Sequence, residues 1–235
     1  MSYKRFLIAI GCLCGVLMVS LATYELSDIA RPASVFASTM PIVIIDAGHG
    51  GFDGGAVADD GTLEKDLNLQ ISLKAEDIAK ALGLNVIMVR TDDIGTDTNN
   101  GKTIRSHKVS DLKNRLNLMT KYENSIYVGI HLNKFAQSSV HGAQVFYAPS
   151  VATSDELASD IKDSVEKYVQ TDNDRIIKAG TKDVYLLYNA TKPAVIIECG
   201  FLSNNNDLAN LKNDEYQSKM AFSIVCGVLN YLNSN

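Results

Sequence analysis

Three apolar runs of this sequence each lead into a residue that could bind a metal ion or move a proton. Ile42-Val43-Ile44-Ile45 passes through Asp46 into the loop Ala47-Gly48-His49-Gly50-Gly51. Ser125–Ile130 leads into His131, and Val195-Ile196-Ile197 leads into Glu198. Such runs read as buried strands, and the glycine-rich segment as a turn at a strand's C-terminal end. That end of an open α/β sheet is where ligands and chemistry collect. Two imidazoles and a carboxylate meeting there make a zinc-type site. Catalytic zinc takes three protein ligands and keeps a fourth position for water, and His2Glu is one known set. His49 and His131 supply the rings. Glu64 fits best as the acid, because it follows the glycine loop and opens a helix, so it can fold back over His49; Asp46 and Asp53 are its rivals.

Zinc lowers the pKa of a water molecule it binds to about 7. A separate carboxylate must then accept the water proton and pass it on. Glu198, at the mouth of a hydrophobic strand, suits that role. Burying it without a partner would cost several kcal/mol, so it calls for a cation or a proton. Each residue has an ordinary reading when taken singly. His49 and His131 could be packed histidines, Glu64 a favourable first-turn acid, and Glu198 the partner of an arginine such as Arg115. Four such accidents would have to fall on one sheet edge. His107 and His141 lie in polar segments and read as solvated. Cys199 adjoins Glu198 but points to the opposite strand face, so it reads as packing. Asp53 stands where a dinucleotide fingerprint needs its third glycine, and no Gly-Lys-Ser/Thr follows, so both phosphate-loop patterns fail.

The elements that must position these residues alternate. Strands are expected at Ile42–Asp46, Val86–Arg90, Ser125–Ile130, Gly142–Tyr147 and Ala194–Glu198, with a short strand or turn at Val184–Leu187. Leu67, Ile71, Ile78 and Leu82 recur at helical spacing over Glu64–Leu82, with Thr62 as the expected N-cap and Gly83 closing the helix. Further helices are expected at Asp111–Glu123, at Ser154–Val169 with a capping start, and at Glu215–Leu232. Asp92 to Ser110, which includes Asn99-Asn100-Gly101, reads as a long loop. Alternation of this kind predicts a single α/β domain with a mostly parallel twisted sheet and helices on both faces, its strand ends gathered at one edge by right-handed crossovers.

Residues 1–37 stand apart. Lys4 and Arg5 precede an apolar or small stretch from Phe6 to Thr23. This reads as a signal peptide cleaved before Ser38, or as an uncleaved N-terminal membrane anchor. The catalytic domain is then 38–235, exported and either secreted or membrane-tethered. The chain has 235 residues and a formal net charge of −5, which argues against a general nucleic-acid binder. Beyond residue 37 only Cys199 and Cys226 remain, and they are expected as free thiols.

Four blocks now carry a resemblance: Asp46-Ala47-Gly48-His49-Gly50-Gly51, Leu63-Glu64-Lys65-Asp66-Leu67-Asn68, Val128-Gly129-Ile130-His131-Leu132-Asn133, and Pro193 through Asn204. In this order they resemble the zinc-dependent N-acetylmuramoyl-L-alanine amidases of the amidase-3 family. Gly142–Tyr147 and the His131-Leu132-Asn133 block are most similar to its CwlD-type, spore-germination subgroup. The resemblance implies peptidoglycan as substrate and cleavage of the amide between N-acetylmuramic acid and L-alanine. It implies one zinc ion on His49, Glu64 and His131, with Glu198 as catalytic base. It further implies action on spore cortex in the forespore space, where muramic-δ-lactam precursors form, and in some relatives a secreted lipoprotein partner. Asn133 and Arg115 are the candidates for supporting the ligands from behind. The alternatives are a metallopeptidase acting within the stem peptide, and a non-catalytic peptidoglycan-binding protein.

Overall fold

A computed structural model describes residues 40–98 and 103–234. The expected signal or anchor segment and the Asn99-Asn100-Gly101 turn lie outside these residues. Six strands, β1 (Ile42–Ala47), β2 (Val86–Met88), β3 (Ser125–Asn133), β4 (Gln144–Tyr147), β5 (Lys178–Ala179) and β6 (Ala194–Phe201), form one sheet in the order β2-β1-β3-β6-β4-β5. All neighbouring pairs are parallel except β4 with β6. The expected mostly parallel sheet is therefore present, with two reversed strands, β4 and β5, at one edge. The helices are α1 (Glu64–Ala81), α2 (Ile104–Lys121), α3 (Ser154–Tyr168), α4 (Tyr185–Tyr188), α5 (Asn205–Leu211) and α6 (Asp214–Ser234).

Side chains alternate across the strands, and each sheet face gets its own core. Val43, Ile45, Val128, Ile130, Val195 and Ile197 point to one face, under Leu67 and Ile71 of α1, Ile161 of α3 and Ile224 of α6. Ile44, Tyr127 and Ile196 point to the other, under Met119 of α2 and Leu187 of α4. Both faces are covered, which explains strand sequences of nearly continuous apolar residues. The same alternation puts Asp46, His131 and Glu198 on the second face, toward the carboxyl edge.

Several expectations need correction. The loop over Asp92–Ser110 is shorter: α2 begins at Ile104, because Thr103 caps it, its Oγ1 accepting from the Ser106 amide at 3.3 Å. Thr62 is not the cap of α1. That position is Leu63, with no side-chain cap. The orphan amides go instead to the preceding loop, Glu64 N–H to the Ala56 carbonyl and Lys65 N–H to that of Gly54. The start of α3 likewise lacks a side-chain cap. Thr153 adopts a left-handed conformation, and its hydroxyl bonds that of Tyr231 at 2.7 Å. Val184–Leu187 contributes to a one-turn helix rather than a strand, an ambiguity that periodicity cannot resolve in so short an apolar run. Asn204 caps the unforeseen α5, accepting from the amides of Asn206 and Asp207.

Asp46 is wholly buried on the second face. Arg115, also buried, pairs with one of its oxygens, and the Tyr127 hydroxyl donates to the other. Tyr127→Phe removes that donor and leaves a carboxylate oxygen unpaired in the core. The expected loss is about 1–3 kcal/mol of stability in urea unfolding, with the circular dichroism spectrum unchanged.

Candidate metal centre

Glu64 opens α1 at the head of the stripe that buries Leu67, Asn68, Ile71 and Ala75. Glu64 is 3% exposed. Oε1 lies 3.1 Å from His49 Nε2 and 3.2 Å from His131 Nδ1. It also accepts from the Leu132 amide at 3.1 Å and from Asn68 Nδ2 at 3.3 Å, while Oε2 accepts from the Ala56 amide at 2.8 Å. One donor atom from each of His49, Glu64 and His131 lies within 4.8 Å of the others. The imidazoles meet edge to face with centroids 5.0 Å apart.

The backbone makes room for this convergence. A Cβ on Gly48 would stand 2.3 Å from Cε1 of His131. One on Gly55 would stand 2.5 Å from Glu64 Oε2, at a left-handed φ of +67°. His49 itself has a φ of 63°, a conformation that costs a non-glycine residue on the order of 1 kcal/mol. The Nη2 of Arg115 donates to the His49 carbonyl at 2.6 Å and holds it there.

Electrostatics follows from the packing. Burial opposes charge on His49, but its hydrogen bonds to Asp53 and Glu64 outweigh that and raise it to about 9. Burial likewise opposes charge on Glu64, yet His131 and His49 hold its carboxyl well below the usual range. Glu198 is raised to about 7, by burial first, with the His131 charge opposing and the Glu64 charge adding. Its Oε2 is shielded from solvent and has no hydrogen-bond partner among the described residues. His131 and Glu198 are register partners on adjacent strands. Both strands run on past the expected ends, β3 to Asn133 and β6 to Phe201.

Of the rivals to Glu64, Asp46 faces Arg115 and Tyr127. Asp53 stands behind His49, with Oδ2 2.9 Å from Nδ1, and Oδ1 pairs with Lys108 at 2.9 Å. Arg115 does not pair with Glu198; it is committed to Asp46 and Asp111. Asn133 lines the cleft. His107 is not simply solvated: Nδ1 meets Asp97 at 2.5 Å and the ring packs on Phe52. His141 is exposed. Cys199 and Cys226 are free, and burial pushes the Cys199 thiol up, away from nucleophile chemistry. Asn68 was missed, although it lies one helical turn from Glu64 and could have been read by that spacing.

The cluster opens into a cleft of about 420 Å³, walled by Leu112, Phe146, Tyr185 and Ile196 with Lys108 and Asp183 among its polar groups. Two nitrogens, one carboxylate and an unpartnered second carboxylate fit a divalent ion of the zinc kind.

Fold and cleft together define a single α/β catalytic domain with its polar groups at the carboxyl edge of a mostly parallel sheet. The profile described as N-acetylmuramoyl-L-alanine amidase, Amidase_3, matches residues 43–230, and the chain belongs to that family. It is 34% identical over 218 residues to the germination-specific N-acetylmuramoyl-L-alanine amidase of Bacillus subtilis (strain 168), covering 92% of this chain and 90% of that protein. Among solved structures it is similar to the CwlD amidase from Clostridioides difficile in complex with the GerS lipoprotein, at 40% identity and a TM-score of 0.79, over 83% of this chain and 100% of that one. The catalytic domain of CwlV, an amidase from Bacillus (Paenibacillus) polymyxa var. colistinus, matches at 30% identity and a TM-score of 0.68, over 83% and 100% of the two chains.

Two outcomes are expected. A divalent ion binding on His49 must displace its proton, so apparent affinity for such an ion should fall as pH drops below about 9, by about tenfold per unit for one proton. Calorimetry in two buffers of different ionisation enthalpy would show the released proton. Gly48→Ala drives a methyl group into the His131 ring, and zinc binding should be lost while the sheet remains folded by circular dichroism.

Proposed function

We propose that this protein is an exported zinc amidase that hydrolyses the bond between N-acetylmuramic acid and L-alanine in peptidoglycan. The observation that carries the reading is the convergence of His49, Glu64 and His131 beside the unpartnered carboxylate of Glu198. His49, Glu64 and His131 would hold the ion. When bound, zinc supplies Lewis acidity to a carbonyl and makes water acidic enough to lose a proton near neutrality. Glu198, poised near 7, accepts that proton and returns it to the departing L-alanine nitrogen. Asp53 fixes the far nitrogen of His49 and so the orientation of its ring, as partners behind metal ligands commonly do. Arg115 holds the same residue by its carbonyl, and Asn133 offers a polar contact beside the reacting groups.

The family and the germination-specific relative support peptidoglycan as substrate and spore cortex as the place of action. Residues 1–37 would serve as signal peptide or membrane anchor, with 38–235 as the catalytic domain. The solved relative bound to a lipoprotein supports a lipoprotein partner here too.

Glu198→Gln should keep zinc and lose hydrolysis by about 10²–10⁴-fold, whereas His49→Ala and His131→Ala should lose the metal. Elemental analysis and mass spectrometry of digested cortex peptidoglycan would read both. The expected product is a stem peptide with a free L-alanine amine. A shortened peptide still attached to the sugar, or full turnover by Glu198→Gln, would overturn the assignment.

A further inference from the structure

Arg90 is 2% exposed and packs against the turn that carries His49. Its Nε donates to the Ala47 carbonyl at 2.8 Å. Nη2 donates to the carbonyls of Gly48 at 3.0 Å and Lys65 at 2.8 Å, and Nη1 to that of Asp92 at 3.1 Å. Among the described residues, every hydrogen bond it makes goes to a main-chain carbonyl. Arg115, by contrast, takes two carboxylates.

A buried cation without a carboxylate in contact is unfavourable unless its hydrogen bonds are complete. Here four of the five guanidinium N–H donors are matched to carbonyls, and their placement is informative. Ala47 and Gly48 immediately precede His49, and Lys65 immediately follows Glu64. One planar fork therefore spans the segments that carry two of the three metal-binding candidates. Asn68 reinforces the span by donating to the Gly48 carbonyl and to Glu64 Oε1. The loop is moulded to the arginine as well. A Cβ on Gly50 would stand 2.9 Å from both Cδ and Nε of Arg90. Only a guanidinium presents several donors in a rigid plane; an ammonium offers three from one point.

We propose that Arg90 is a positioning residue that fixes the separation of His49 and Glu64 before any ion arrives. The inference rests on the metal reading of these residues. It goes beyond that reading by assigning preorganisation of the site to one side chain outside the cluster.

The test uses the full-length chain. Arg90→Lys keeps the charge but cannot reach the Ala47 and Lys65 carbonyls together. Its zinc affinity, read by competition with a chromophoric chelator, should fall by about 10–100-fold. Its circular dichroism should be unchanged, and saturating zinc should restore kcat. Folded Arg90→Lys with the affinity of the parent protein would overturn the proposal. Should that variant not fold, the parent protein decides. By nitrogen-15 NMR, the Arg90 Nε–H of the metal-free chain should be as protected from solvent exchange as in the zinc-loaded chain. Exchange at the rate of a free arginine would mean that the ion orders the loop, and the proposal would fall. Absence of zinc binding by the parent protein would defeat the metal reading instead, and the exchange measurement would still report on Arg90.

Discussion

A carboxylate withdrawn from water must be supplied with donors or lose its charge, and the site is organised around that requirement at Glu64. Two imidazoles, two main-chain amides and the Asn68 side chain surround its oxygens. They come from four places: the turn after β1, the end of β3 (which supplies both His131 and the Leu132 amide), the loop before α1, and α1 itself. The carboxylate therefore acts as a pin joining these elements. Its low pKa comes from His131 and then His49, and the high pKa of His49 from Asp53 and then Glu64, so Glu64 and His49 share one part of a wider network in which opposite charges stabilise each other. A divalent ion entering there would replace the imidazole proton as the compensating charge.

The surroundings bear the strain this convergence creates. His49 occupies a left-handed backbone conformation that its side chain disfavours, and Arg115 secures its carbonyl from the α2 side. Asp46 balances that arginine from the floor of the sheet, aided by Tyr127. The result is a polar layer beneath the cluster with its charges matched, set between an apolar core and an open cleft. Glu198 is the exception. One of its oxygens lacks a partner among the described residues, which suits the proton transfer proposed for it.

Much of this was legible in the sequence because it depends on local pattern. The β-branched runs announced strands. The glycine loop announced a turn, and the positions of His49, His131 and Glu198 after such runs implied one edge. Less legible were features decided by tertiary contact. Thr62 looked like a cap, but a neighbouring loop supplied the acceptors for those amides. Val184 to Leu187 read as a short strand or turn, and the segment became helical where Leu186 and Leu187 pack into the second core. The reversal of β4 and β5 left no mark on their residues, because the direction in which a strand pairs does not change its alternation of side chains. Arg90 gave no signal at all, since its acceptors are main-chain carbonyls, which every sequence contains.

The pairing of His131 with Glu198 across β3 and β6 has a further meaning. Adjacent strands lie about 4.8 Å apart wherever a sheet is intact, so the spacing of these two side chains is inherited from the hydrogen-bonded ladder. Insertions, shortened loops or altered cleft walls leave that interval unchanged. Descendants of this scaffold can therefore diverge widely in what they admit while the reactive geometry stays constant, and selection can act on choice of target separately from chemical competence.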